Sequence, residues 1–198
     1  MKENLRVIHY SNGDPIPTDM ENLDWANLET GGFGVYPYGD IGLDSEEDVV
    51  NAYGNLYNWY AVVDSRGVCP DGWRIPEINE MNDLDLYVSG MYSNAGNILK
   101  SCRQVGSPVS GACNTSEHPR WDSHATHYGT DDLGFAGLPA GFRQANGFYF
   151  QCGQVGFWWS SSELSGSGRY KELLFDSGNF TSRTTDKKFG LSVRCIKE

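Results

Sequence analysis

At 198 residues, with 39% hydrophobic and 13% aromatic side chains, the chain has the size and apolar content of one packed domain, not of a disordered or fibrous polypeptide. Its 15 Lys and Arg against 26 Asp and Glu give a net charge of −11, which repels phosphate backbones and anionic bilayers. Lys187-Lys188 is the longest basic run and no apolar stretch approaches the ~18 residues of a membrane span, so neither nucleic-acid binding nor membrane insertion is expected.

The opening Met1-Lys2-Glu3-Asn4 has no apolar signal region, which points to a cytoplasmic origin or to a signal already removed. The first ~50 residues read as irregular, with turn formers at Asn12-Gly13-Asp14-Pro15 and Thr30-Gly31-Gly32-Phe33-Gly34. Between them Trp25 and Leu28 are apolar anchors. Val49, Tyr53, Leu56, Tyr57 and Tyr60 then recur at helical spacing and predict one helix over 48–63, although Gly54 costs it about 1 kcal/mol. A loop over 65–72 leads to Trp73-Arg74-Ile75. Pro76 opens a second helix with Glu77 and Glu80 near its positive end; Ile78, Met81 and Leu84 or Leu86 form its buried face, and it ends near Gly90.

Residues 101–134, rich in Gly, Ser, Thr and His, read as one long loop or insertion. Short strands follow at 140–144, 147–152, 156–161, 169–175, 179–184 and 191–196, with Asp176-Ser177-Gly178 as a turn. Helices first and strands later argue an α+β fold with an antiparallel sheet, organised as a single domain over 1–198.

Five cysteines with no CxxC pair give no support to a thiolate zinc site or a thioredoxin-type motif. Cys102 and Cys113 have the spacing to close a short ring, and an odd count leaves a thiol over. Cys69–Cys195 with Cys102–Cys113, leaving Cys152 free, is one pairing among those five cysteines allow, and it mildly favours an oxidising compartment.

Seven segments carry a family likeness, in one order along nearly the whole chain. They are Glu3-Asn4-Leu5, Tyr10 to Pro17, Leu56 to Val62, Cys69 to Pro76, Gly134 to Arg143, Phe157 to Ser161 and Ser192 to Cys195. Together they resemble the Fibrobacter succinogenes major paralogous domain. That family is similar to the C-type-lectin-like fold, in the branch that holds the formylglycine-generating enzymes and the target proteins of diversity-generating retroelements. The resemblance implies two helices packed on a twisted antiparallel sheet, long loops above it, and a varied binding face on the C-terminal strands, displayed on a cell surface, outside the cell or on a virion. The paired reactive cysteines of formylglycine-generating enzymes and the calcium-and-sugar motifs of C-type lectins have no counterpart here, so neither activity is carried over.

The tract 162–188, within the C-terminal strands 157–198, mixes Tyr, Phe and Arg with Ser, Gly and Asn, as binding paratopes do. It also reads as the polar outer face of an ordinary hairpin. On the binding reading the expected contacts to a macromolecular ligand, protein or glycan, are Trp159, Arg169, Tyr170, Lys171, Phe175, Asn179, Phe180, Arg183 and Phe189. Adjacent strand residues point to opposite faces, so of Trp158 and Trp159 one is expected in the core and the other at the surface.

No cofactor is expected. His118, His124 and His127, with Asp122 and Asp131-Asp132, are of metal-ligating type for zinc, nickel or calcium, but the commoner reading of such a segment is a solvated loop. Arg143 and Arg194 read as structural. No nucleophile elbow, HExxH or Walker loop is present, and the chain is expected to be a binding module and not an enzyme. A divergent formylglycine-generating-type enzyme is the rival from another class.

Overall fold

The computed structural model describes residues 1–198. In chain order the elements are α1 (Asn22–Asn27), β1 (Phe33–Gly34), α2 (Tyr38–Ile41), α3 (Glu46–Tyr53), β2 (Leu56–Tyr57), α4 (Trp59–Val62), β3 (Trp73–Arg74), α5 (Ile78–Met91) and α6 (Ala95–Leu99). They continue with β4 (Phe142–Arg143), β5 (Tyr149–Phe150), β6 (Val155–Leu164), β7 (Ser167–Leu174), β8 (Thr181–Thr185) and β9 (Ile196–Lys197). β6, β7 and β8 form an antiparallel three-stranded sheet, and β1–β2, β3–β9 and β4–β5 are antiparallel pairs. The fold is α+β, as the order of patterns implies.

The single helix expected over 48–63 is two helices with a strand between them. Ser45 caps α3 by accepting the Asp48 N–H, and three acidic residues fill its first turn. Gly54 ends it at φ 77°, where a Cβ would come within 2.9 Å of the Leu5 carbonyl oxygen. Leu56 and Tyr57 then pair with β1, and Asn58 caps α4 by accepting the Ala61 N–H. The apolar spacing is real, but the chain uses it from three elements, α3, β2 and α4.

α5 matches its expected span closely. Glu77 and Glu80 form a capping box, and the Ser162 hydroxyl accepts the Ile78 N–H at 3.0 Å. Ile78, Met81 and Val88 are buried and Leu84 packs beside them, whereas Leu86 points to solvent. α6 has no counterpart among the expected helices, and Trp73 is half-buried on β3.

Residues 101–134 are fixed by their own side chains. The segment holds a 3-10 turn at Gly111–Cys113, the Cys102–Cys113 disulfide, and Trp121, fully buried with its indole N–H donating to Gly137 O at 3.0 Å. Cys69 pairs with Cys195 across 126 residues and Cys152 is free. The strand expected over 191–196 is shorter: only Ile196–Lys197 pairs, with β3, while Leu191 and Ser192 make single bridges to Tyr57 and Trp158.

The main core lies on one side of the three-stranded sheet, around Tyr57, Trp59, Phe157, Trp159 and Val193. A second core, between the sheet and helices α5 and α6, holds Trp158, Leu173 and Phe180. Trp158 and Trp159 do point to opposite faces, but both are fully buried, because the sheet is covered on both sides at β6. That corrects the expectation of one surface tryptophan. Ser165 and Gly166, at φ 51° and 84°, make the tight β6–β7 turn, matching a type I′ hairpin.

Four buried cations tie loops to this frame, mostly through backbone carbonyls. Arg143 donates to Gly147 O and Met20 O and stacks on Trp25. Arg194 donates to Asn4 Oδ1, Phe135 O and Ala136 O, the second contact being very short. Lys100 donates to His127 O at 2.9 Å and Ser177 O at 2.8 Å. Lys171 reaches Asp85 at 2.8 Å and Phe180 O at 3.0 Å.

Candidate functional site

Strand alternation sorts the C-terminal tract into two faces. Trp159 pairs with Tyr170, Phe157 with Glu172, and Tyr170 with Arg183, so these five side chains share one face. Trp158, Lys171, Leu173 and Ser182 share the other, which packs on α5. There the Ser182 hydroxyl donates to Asn82 Oδ1 at 2.7 Å and Lys171 meets Asp85.

The first face carries a connected layer of rings. Tyr170 lies 6.0 Å from Trp159 and 5.1 Å from Phe157, centroid to centroid. Phe157 stacks on Phe142 at 5.3 Å, and Phe142 stacks on Phe189 at 5.8 Å, nearly parallel, and meets Phe150 at 5.9 Å. The layer runs from fully buried Trp159, through Phe142 and Phe157, to half-buried Tyr170 and Phe189 and to Phe150, which is 40% exposed. Phe148, just before β5, is also exposed. Tyr170, Phe189 and Phe150 each rest on a buried ring, which is how a surface aromatic is held rigid.

Beside the rings, Arg183 Nε donates to Glu172 Oε1 at 3.0 Å, with the arginine side chain 57% exposed and the carboxylate largely covered. Burial, with the Glu172 charge adding to it, pushes the Tyr170 phenol up to about 12, so it stays protonated and can donate a hydrogen bond. Rings with a half-exposed guanidinium and a phenol make a surface suited to binding. Nothing here resembles a nucleophile paired with a base.

The nine expected contacts therefore divide. Tyr170, Arg183 and Phe189 stand on the aromatic face. Asn179 is exposed at the rim of the α5 side, Arg169 is half-buried, and Phe175 is half-buried edge-on to His124 at 6.2 Å. Trp159, Lys171 and Phe180 are buried and offer no surface to a macromolecular ligand: Trp159 supports Tyr170, Lys171 is held by Asp85, and Phe180 lies in the core under α5. The sequence reading missed Phe142, Phe148, Phe150 and Phe157, whose alternation in the expected strands 140–144, 147–152 and 156–161 was the available signal.

The three histidines do not converge. His118 Nδ1 lies 2.6 Å from the Tyr53 hydroxyl, while His124 and His127 stack on each other at 4.8 Å. His124 Nδ1 accepts the backbone N–H groups of Thr126 and His127. No group of three or more His, Cys, Asp or Glu side chains is arranged to hold a metal ion. Asp131 Oδ1 accepts the Ala136 N–H at 2.6 Å and so fixes its own loop. Cys152 is half-buried beside Tyr53, and burial pushes its thiol up to about 12, away from a reactive thiolate. No helix is long and apolar enough to cross a membrane.

No curated protein and no solved structure matches the chain significantly. A family model described as the Fibrobacter succinogenes major domain matches residues 1–197, over all the elements described above. By that match the chain belongs to the Fibrobacter succinogenes major domain family.

Proposed function

We propose that this domain is a non-enzymatic recognition module that binds a macromolecular ligand, protein or glycan, through the aromatic face of β6–β8, outside the cell, on a cell surface or on a virion. The observation that carries the reading is the ring layer that ends at Tyr170, Phe189 and Phe150 beside the Arg183–Glu172 pair. Aromatic rings and arginine contribute most of the energy at protein interfaces, and rings fixed from beneath lose little entropy on binding. Two disulfides favour an oxidising compartment. The α5-backed sheet under long loops supports a C-type-lectin-like scaffold, and exposed Arg183 and Asn179 fit the narrower reading of a face diversified by a retroelement.

Two experiments test this. Wild type and Arg183→Ala with Phe150→Ser are compared on arrays of glycans and surface proteins. The reading expects hits that the double variant loses while its unfolding temperature stays within a few degrees, and hits kept by the double variant contradict it. The diversified form further expects, in the neighbouring DNA, a reverse transcriptase and a near-copy of the 3′ end differing at adenines. Without them the family membership favours a second reading, a bacterial cell-surface paralogous domain with an adhesive role.

A further inference from the structure

Between α5 and the C-terminal segment lies a cavity of about 240 Å³, remote from the aromatic face and lined chiefly by Met81, Leu84, Phe135, Trp158, Phe180 and Arg194, with Met1 and Glu80 at its edge. It is smaller than the ~300–1,000 Å³ of sites for drug-sized ligands, so a guest must be small. Its walls are apolar except for Glu80 and Arg194. Arg194 is 5% exposed, lies 4.5 Å over the Phe135 ring and 5.5 Å from that of Trp158, and has only neutral atoms as hydrogen-bond partners. A guanidinium carries five N–H donors; the contacts to Asn4, Phe135 and Ala136 use three and leave two without a protein acceptor.

A buried charge without a contacting counter-ion is costly, and the nearby acids do not supply one. Asp131 and Glu3 attract Arg194 only at longer range. Glu80 lines the cavity, but both its oxygens are held by Arg74, at 2.6 and 2.7 Å. Lys171, the neighbouring buried cation on the sheet, has Asp85 in contact. Arg194 therefore combines an incomplete donor set, no contacting anion and an adjoining apolar cavity.

We propose that this cavity binds a small monocarboxylate with an apolar tail, its carboxylate received by Arg194 and its tail packed among Met81, Leu84 and Phe180. The guest is a short-chain fatty acid or an arylalkanoic acid. A neutral molecule of the same shape leaves the guanidinium uncompensated and binds more weakly. A longer chain overfills the space.

The test titrates the full chain with hexanoate and with hexanamide, following binding by calorimetry and by transferred contacts to the Met81 methyl group, labelled with ¹³C. The proposal expects hexanoate to saturate one site at least tenfold more tightly than the amide, with its tail protons seen at the Met81 methyl. Leu84→Trp, which fills the space, should weaken hexanoate at least tenfold. If that variant does not fold, the acid-to-amide ratio and the Met81 contacts decide alone. Equal affinity for acid and amide, hexanoate bound away from Met81, or no saturable binding would each overturn it. None of these results bears on the aromatic face, whose variants leave the cavity untouched.

Discussion

Arg183 on β8 stands directly opposite Tyr170 on β7, and both project from the sheet face that Trp159 supports from within. The arginine is more than half exposed, the tyrosine half-buried and the tryptophan fully buried, so exposure falls step by step from surface to core.

That gradient sets a ratio of costs. Arg183→Ala removes an exposed cation and one ion pair, and should cost about 1 kcal/mol or less. Trp159→Ala empties the core beneath and should cost about 3–5 kcal/mol. Denaturant melts of both variants check this; a larger loss for Arg183→Ala would make the face part of the framework.

Gly168 lets the β6–β7 hairpin close on two tryptophans, since a Cβ there would come within 2.6 Å of Trp59 and 2.8 Å of Trp159. Gly168→Ala should therefore lower the unfolding temperature by several degrees, in line with ~1–3 kcal/mol for an overpacked core. A thermal scan matching wild type would contradict the packing described.

Much of the frame was legible because it follows from local chemistry. The start of α5 shows in Pro76, Glu77 and Glu80, and β6, β7 and β8 show as short runs of aromatic and β-branched residues punctuated by glycine turns. What failed to show depends on partners far along the chain. Lys171 reads as a surface cation until Asp85, 86 residues earlier, meets it from α5. Trp159 obeys strand alternation, but its indole N–H donates to Tyr57 O, 102 residues away, which buries the ring expected at the surface. The split between α3 and α4 follows from Gly54 packing against Leu5 and Asn4, a contact that periodicity cannot report.

Lys100 makes stability depend on pH. Burial pushes its ammonium down to about 7, with Asp176 opposing, against 10.5 as its ordinary value. Between those values the unfolded chain holds a proton that the folded one has released, so stability rises with pH, by a few kcal/mol at most. Lys100→Met should remove that rise. Urea melts from pH 7 to 10 on both proteins check the sign, and a wild-type slope equal to or below the variant's would contradict it.

The two disulfides should contribute unequally. Cys69–Cys195 closes a loop of 126 residues and Cys102–Cys113 one of 11. On chain-entropy grounds, losing the first costs about 4–5 kcal/mol and losing the second about 3. Paired Cys→Ser variants should unfold in that order, and the reverse order would place the stabilisation in the long loop.

The proposed function requires a rigid frame that presents a face whose side chains can be exchanged without loss of the fold. The most direct measurement randomises Phe148, Phe150, Arg183 and Thr185, the last of them two residues beyond Arg183 on β8 and so on the same side of it, in a displayed library and scores protease resistance clone by clone. Most clones should stay as resistant as wild type, whereas a parallel library at Trp158, Trp159, Leu173 and Phe180 should collapse. Similar survival in the two libraries, or collapse of the first, would contradict it.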